Sequence, residues 1–99
     1  MARRLQLHDL LLTLAEHVYF QQPANVQMAY PCILYMRDSA DTEFAANKPY
    51  RYTQRYMVTV IDEDPDSVIP AKLAALPLCT YDRHYVADGL HHDVYHLYF

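Results

Sequence analysis

Apolar residues at Leu7, Leu10, Leu11, Leu14 and Val18 recur with the spacing of one helical face, while Arg3, Arg4, Gln6, Asp9 and Glu16 fall mainly off it. That period predicts an amphipathic helix over residues 1–18, stopped by Gln21-Gln22-Pro23 because proline cannot continue the helical ladder. From Pro31 the pattern changes to alternation. Cys32, Leu34 and Met36 take one parity and Ile33, Tyr35 and Arg37 the other. With apolar residues on both, this segment reads as a central strand covered on both sides. Asp38 to Lys48 is polar and reads as a loop longer than an ordinary hairpin connection. Tyr50 to Asp62 is the longest strand signal: Tyr52, Tyr56, Val58 and Val60 share one face, and Arg51, Thr53, Arg55 and Thr59 a predicted wet one.

The acidic run Asp62 to Asp66 reads as a turn into a second helix, capped by Asp66 or Ser67, with Pro70 in its first turn. Ile69, Leu73 and Leu76 supply its apolar stripe, and Pro77 closes it. Two strands follow, 78–86 and 92–99, joined by Ala87 to His91 with Gly89 at the turn. The predicted order is α-β-β-α-β-β. It describes an α+β fold with a single-layer, antiparallel-rich or mixed sheet and helices on one face. Leu10, Leu14 and Leu73 are expected over Val58 and Val60.

At 99 residues the chain makes a single domain, 1–99, with an expected radius of gyration of roughly 13 Å. Its hydrophobic content of 53% excludes intrinsic disorder. No apolar run approaches the ~20 residues of a membrane helix, so a soluble, cytosolic product without a membrane partner is expected. The net charge of −4 argues against a module that binds nucleic acid by neutralising phosphates. A single glycine excludes Gly-rich phosphate loops and dinucleotide fingerprints.

Candidate chemistry is sparse. His84, His91, His92 and His96 crowd the last sixteen residues. On one strand, though, His92 and His96 would stand about 13 Å apart, too far to share an ion. His84 with His91 or His92 across the turn stays open. The run Asp62 to Asp66 lacks the glycine and glutamate positions of a calcium loop, and helix capping explains it better. Cys32 and Cys79 form no ligand pair and read as buried thiols. No catalytic residue, cofactor site or metal site is expected.

Two motifs carry a resemblance: Y-x-V-T-V-I-D-x-D-P-D-S over Tyr56 to Ser67, and D-R-H-Y-x-A-D-x-L-x-H-D-V over Asp82 to Val94. With "VYFQQPANVQMAYPCILY" before them, Val18 to Tyr35, nearly the whole chain resembles the tail-terminator or tail-completion proteins of long-tailed bacteriophages. Such proteins are often described as minor tail or minor capsid proteins. Gly89 stands where the family usually has a polar residue, often Asn. The resemblance implies a structural protein rather than an enzyme, forming a ring, typically a hexamer. The ring caps the tail tube, ends its polymerisation and presents a docking surface to the head. The implied partners are further copies of the chain, the tail tube protein and a head-neck connector protein, with DNA only passing through the lumen. The implied location is the virion, assembled in the host bacterial cytoplasm. Asp62, Asp64, Pro65, Arg83, His84 and His92 carry over as fold-defining residues, not as ligands.

An assembly surface can be placed on this frame. Arg51, Arg55 and Thr59 form a row whose two arginines make a positive stripe on an acidic body. In a ring that stripe would meet a neighbour's Asp38, Asp41, Asp62 or Asp64; a plainly solvated strand face is the alternative. The loop with Asp38, Asp41 and Glu43 is a candidate lumen-facing or tube-facing element, with a solvated hairpin tip as its alternative. Two other functions remain: a head-closure or adaptor protein of the neck, and a small His-dependent metal enzyme.

Overall fold

The computed structural model describes residues 3–21, 29–45 and 48–99, and the side chains of residues 4–21, 29–38 and 54–99. Its elements are α1 (Arg3–Leu12), β1 (His17–Phe20), β2 (Cys32–Ala45), β3 (Lys48–Asp62), α2 (Ile69–Ala74), β4 (Cys79–Ala87) and β5 (Leu90–Tyr98). The strands form one mixed sheet in the order β1-β2-β3-β5-β4. Only β1 and β2 run parallel. The fold is α+β, as expected, but its order contains one strand more than the pattern predicted.

That strand is the end of the expected helix. Helix α1 stops at Leu12, and the next turn closes with Thr13 Oγ1 donating to the Leu10 carbonyl at 2.6 Å. His17-Val18-Tyr19-Phe20 is β-branched and aromatic, and it pairs with Cys32 to Tyr35. Val18 and Phe20 still pack on the core, so the last apolar position of the expected helix is used by a strand instead.

The second correction concerns Asp38 to Lys48. Strand β2 continues to Ala45 and β3 resumes at Lys48, with Asp41 opposite Thr53, Thr42 opposite Tyr52 and Glu43 opposite Arg51. Strand β1 meets β2 only at residues 32–35, and β5 meets β3 only at residues 55–62. The outer parts of β2 and β3 therefore project as a two-stranded arm. Alternation of apolar residues reports a strand only where one face is buried. The polar run from Asp38 to Glu43 lacks that signal. The chain is correspondingly extended, with a radius of gyration of 14.7 Å and a longest axis of 51 Å.

One sheet face packs on the helices. Ile33, Tyr35, Tyr56, Val58, Val60, Tyr95 and Leu97 form a buried cluster with Leu7, Leu11, Ala15, Ile69 and Leu73. Leu73 is where it was expected. Leu10 and Leu14 lie at the margin, and the centre of the α1 stripe is one position round, at Leu7 and Leu11. Helix α2 is tied down by the Tyr95 hydroxyl, which donates to the Pro70 carbonyl at 3.2 Å. Ser67 Oγ accepts from the Ile69 N–H at 3.3 Å, although Val68 takes the cap position itself. Between β4 and β5, Asp88 and Gly89 have φ of 53° and 74°, the left-handed pair that a two-residue hairpin turn requires.

Val60 is 1% exposed. Truncation to alanine removes two buried methyl groups and is expected to cost about 1–3 kcal/mol, read from the denaturant midpoint. An unchanged midpoint would contradict the assigned face.

Candidate assembly site

The opposite face of the sheet carries Arg55 and Thr59, two of the residues picked out as an assembly surface. Register sets rows across it: Leu34, Thr59 and Val94 form one, Met36, Met57 and His96 the next, and Arg55 and Tyr98 the one nearest the arm. Thr59 is buried, at 7% exposure, because Leu34 and Val94 flank it directly on the neighbouring strands. Along this side of β3, Thr59 and Ile61 are buried and Met57 and Arg55 half-buried, which corrects the expectation of a wet face for the inner half of β3. Between its apolar rows and the β4–β5 turn lies a cleft of about 270 Å³ lined by Leu34, Met57, Thr59, Tyr85 and His92 among others.

At the root of the arm the charges converge. A bulge between Arg37 and Ser39 frees Asp38 from the ladder. Its Oδ2 lies 2.9 Å from Arg55 Nε and 2.8 Å from His96 Nδ1. The Arg55 contact is an ion pair, and the His96 contact becomes one when the imidazole is protonated. On the other side of the ring, His96 Nε2 donates to Asp82 Oδ2 at 3.2 Å, and Arg83 reaches the same oxygen at 3.0 Å. A chain Arg55–Asp38–His96–Asp82–Arg83 therefore crosses four strands. Burial alone would lower the Arg55 pKa. The hydrogen bond with Tyr98 and the Asp38 carboxylate outweigh it, and the guanidinium is held above its ordinary value.

The sequence-predicted residues fall into three groups. Asp38 and Arg55 do meet, but within one chain. Arg51 stands opposite Glu43 and Asp41 opposite Thr53 in the register of the arm, and their side chains lie outside the described residues. Asp62 and Asp64 sit at the far end of β3, seven residues or roughly 23 Å from Arg55, where their carboxylates serve the turn: Asp62 Oδ1 accepts from the Asp64 N–H at 3.0 Å and Asp64 Oδ1 from the Asp66 N–H at 2.9 Å. His96 and Asp82 were not anticipated. They join Asp38 only through the sheet order β2-β3-β5-β4, which no local pattern encodes.

Two histidines do come together. His84 Nε2 lies 3.2 Å from His91 Nδ1 with the rings stacked. His92 is on the other face, stacked on Tyr85 at 4.5 Å. Among the described residues no three His, Cys, Asp or Glu side chains are grouped to hold a metal ion. No helix among them is long and apolar enough to cross a membrane.

Two of the groups that titrate high are Cys32 and Tyr95. Burial, then the Asp62 charge, pushes the Cys32 thiol from 9.0 to about 11. Burial, then Asp93 and Tyr81, pushes Tyr95 from 10.0 to about 12. Each is held neutral in the folded chain and ionises more readily once unfolded. Their contribution to stability is therefore complete below pH ~9 and lost as the pH climbs toward 11–12. The urea midpoint is expected to fall across that window. A flat profile from pH 8 to 11 would show that neither group is buried as described.

Compared with protein-family models, curated proteins and solved structures, the chain matches none.

Proposed function

We propose that the chain is a tail-terminator protein of a long-tailed bacteriophage, a structural component without catalytic activity. Copies form a ring, a hexamer, that caps the tail tube, ends its polymerisation and offers the docking surface for the head. The single observation behind this reading is the arm. A two-stranded ribbon that runs well past its neighbours is marginal in water without a further partner. Such a ribbon makes physical sense when another chain completes it. The Tyr56–Ser67 and Asp82–Val94 motifs support the same reading from the sequence.

In the ring the arm, with Asp41, Glu43 and Arg51, reaches an adjoining copy or the tail tube protein, and the opposite face of the ring meets a head-neck connector protein. Six copies at −4 each carry −24, a charge that lets DNA pass through the lumen without adhering. The ring belongs to the virion and is assembled in the host bacterial cytoplasm.

The test is to mix the purified chain with its phage's tail tube protein and image the product by negative-stain electron microscopy. Six-fold rings seated on tube ends, with tube growth arrested, are expected. A chain that leaves tube length unchanged overturns the reading. Binding to the connector ring in place of the tube would make it a head-closure or adaptor protein instead.

A further inference from the structure

We propose that β4 binds a second copy of the chain, antiparallel across its free edge, so that two sheets run on as one. Strand β4 ends the sheet and pairs only with β5. Every residue from Thr80 to Ala87 is exposed. Leu78 at 62%, Tyr81 and Val86 at 56% and Tyr85 at 41% are four of the eight large apolar side chains exposed among the described residues. A nine-residue edge with exposed apolar side chains on both of its sides is a template for strand addition, which natural proteins normally blunt.

The chemistry of the edge selects its own copy. Tyr81 stands opposite Tyr95 and Arg83 opposite Val94, so Asp82 is an extra residue at which the strand's alternation switches faces. Cys79 and Tyr81 before it share the helix-covered side with His84 and Val86 after it. Thr80, Arg83 and Tyr85 share the open side, where Asp82 Oδ2 meets His96. Residues opposite one another in an antiparallel pair must lie on one side of the sheet.

About a two-fold axis, like sides meet along the whole of β4 in one register, with Asp82 opposite Arg83 of the second copy. The same register sets Tyr81 opposite His84, Thr80 opposite Tyr85 and Cys79 opposite Val86. It makes two reciprocal opposite-charge pairs at the axis. A slip of one residue either way sets Asp82 against Asp82 or Arg83 against Arg83 and also mismatches the sides. The contact is isologous and closes at two chains. It is separate from any ring contact and does not depend on the terminator reading.

Sedimentation velocity over a range of concentrations tests it. The wild-type chain of 11.6 kDa is expected to shift toward twice that mass as concentration rises. Arg83→Asp and Asp82→Arg each turn both reciprocal pairs into like-charge pairs and should weaken self-association at least about tenfold. Both positions are on the exposed edge, and circular dichroism checks that each variant is folded. An equimolar mixture of the two variants restores Asp opposite Arg at both pairs and should recover the dimer; so should one chain carrying both changes. A wild-type chain that stays monomeric, a single variant that associates like wild type, or a mixture that stays monomeric overturns the proposal. A wild-type ring whose mass neither variant alters also overturns it, and leaves the terminator reading standing.

Discussion

Replacing Tyr35 by alanine is expected to bring the folded chain to the edge of unfolding. Tyr35 is fully buried near the start of β2, and three elements converge on it. Its ring lies 5.0 Å from that of Phe20 in β1, 6.1 Å from Tyr56 in β3 and 5.6 Å from His8 in α1. Its hydroxyl sits 2.8 Å from His8 Nδ1 and accepts from Arg4 at 3.3 Å. Loss of a buried aromatic side chain costs about 3–5 kcal/mol through transfer and cavity terms. Domains of this size have about 5–15 kcal/mol in total. Tyr35→Phe keeps the packing and loses only the hydroxyl, for about 1–1.5 kcal/mol. Urea denaturation of the two variants separates the contributions. Equal losses would mean that the polar contacts to α1, and not the ring, hold this part of the core.

Shortening the arm is expected to do the reverse, sparing the fold and abolishing assembly. In the variant, an Asn-Gly turn replaces residues 41–53, linking Ala40 to Gln54, which face each other in the register. All rows shared with β1 and β5 are retained, including the Arg55–Asp38 contact and the Phe99 N–H bond to the Gln54 carbonyl at 3.1 Å. Asn-Gly suits a two-residue hairpin. The melting temperature should change little, because the removed strands pair only with each other. Rings on tube ends should disappear completely. Normal capping by the shortened chain would place the assembly surface elsewhere, with the β4 edge and the face around Arg55 next. A chain that no longer folds would show that the arm nucleates the β2–β3 pair.

The helix-covered core was legible in the sequence because burial writes itself into periodicity. Val58 and Val60 lie on the predicted face of β3, Ile69 and Leu73 anchor α2, and residues 79–98 form the expected hairpin. Where the pattern misled, the physics was also specific. Val18 satisfies a helical and a strand spacing at once, and only the availability of the β2 edge decides for the strand. The polar run from Asp38 to Glu43 conceals a strand, because its pairing there is with β3 alone.

For the candidate site the division is sharper. Composition and local spacing determined that this is an acidic, glycine-poor α+β domain, and that Asp62 and Asp64 belong to a turn. The tertiary structure alone decided the rest: that Asp38 meets Arg55 in its own chain, that His96 stands between Asp38 and Asp82, and that Thr59 is buried. The reason is sequence distance. Side chains from β2, β3, β5 and β4 come together through the strand order of a sheet, and register between strands far apart in the chain is set by the packing of the whole domain rather than by any one segment.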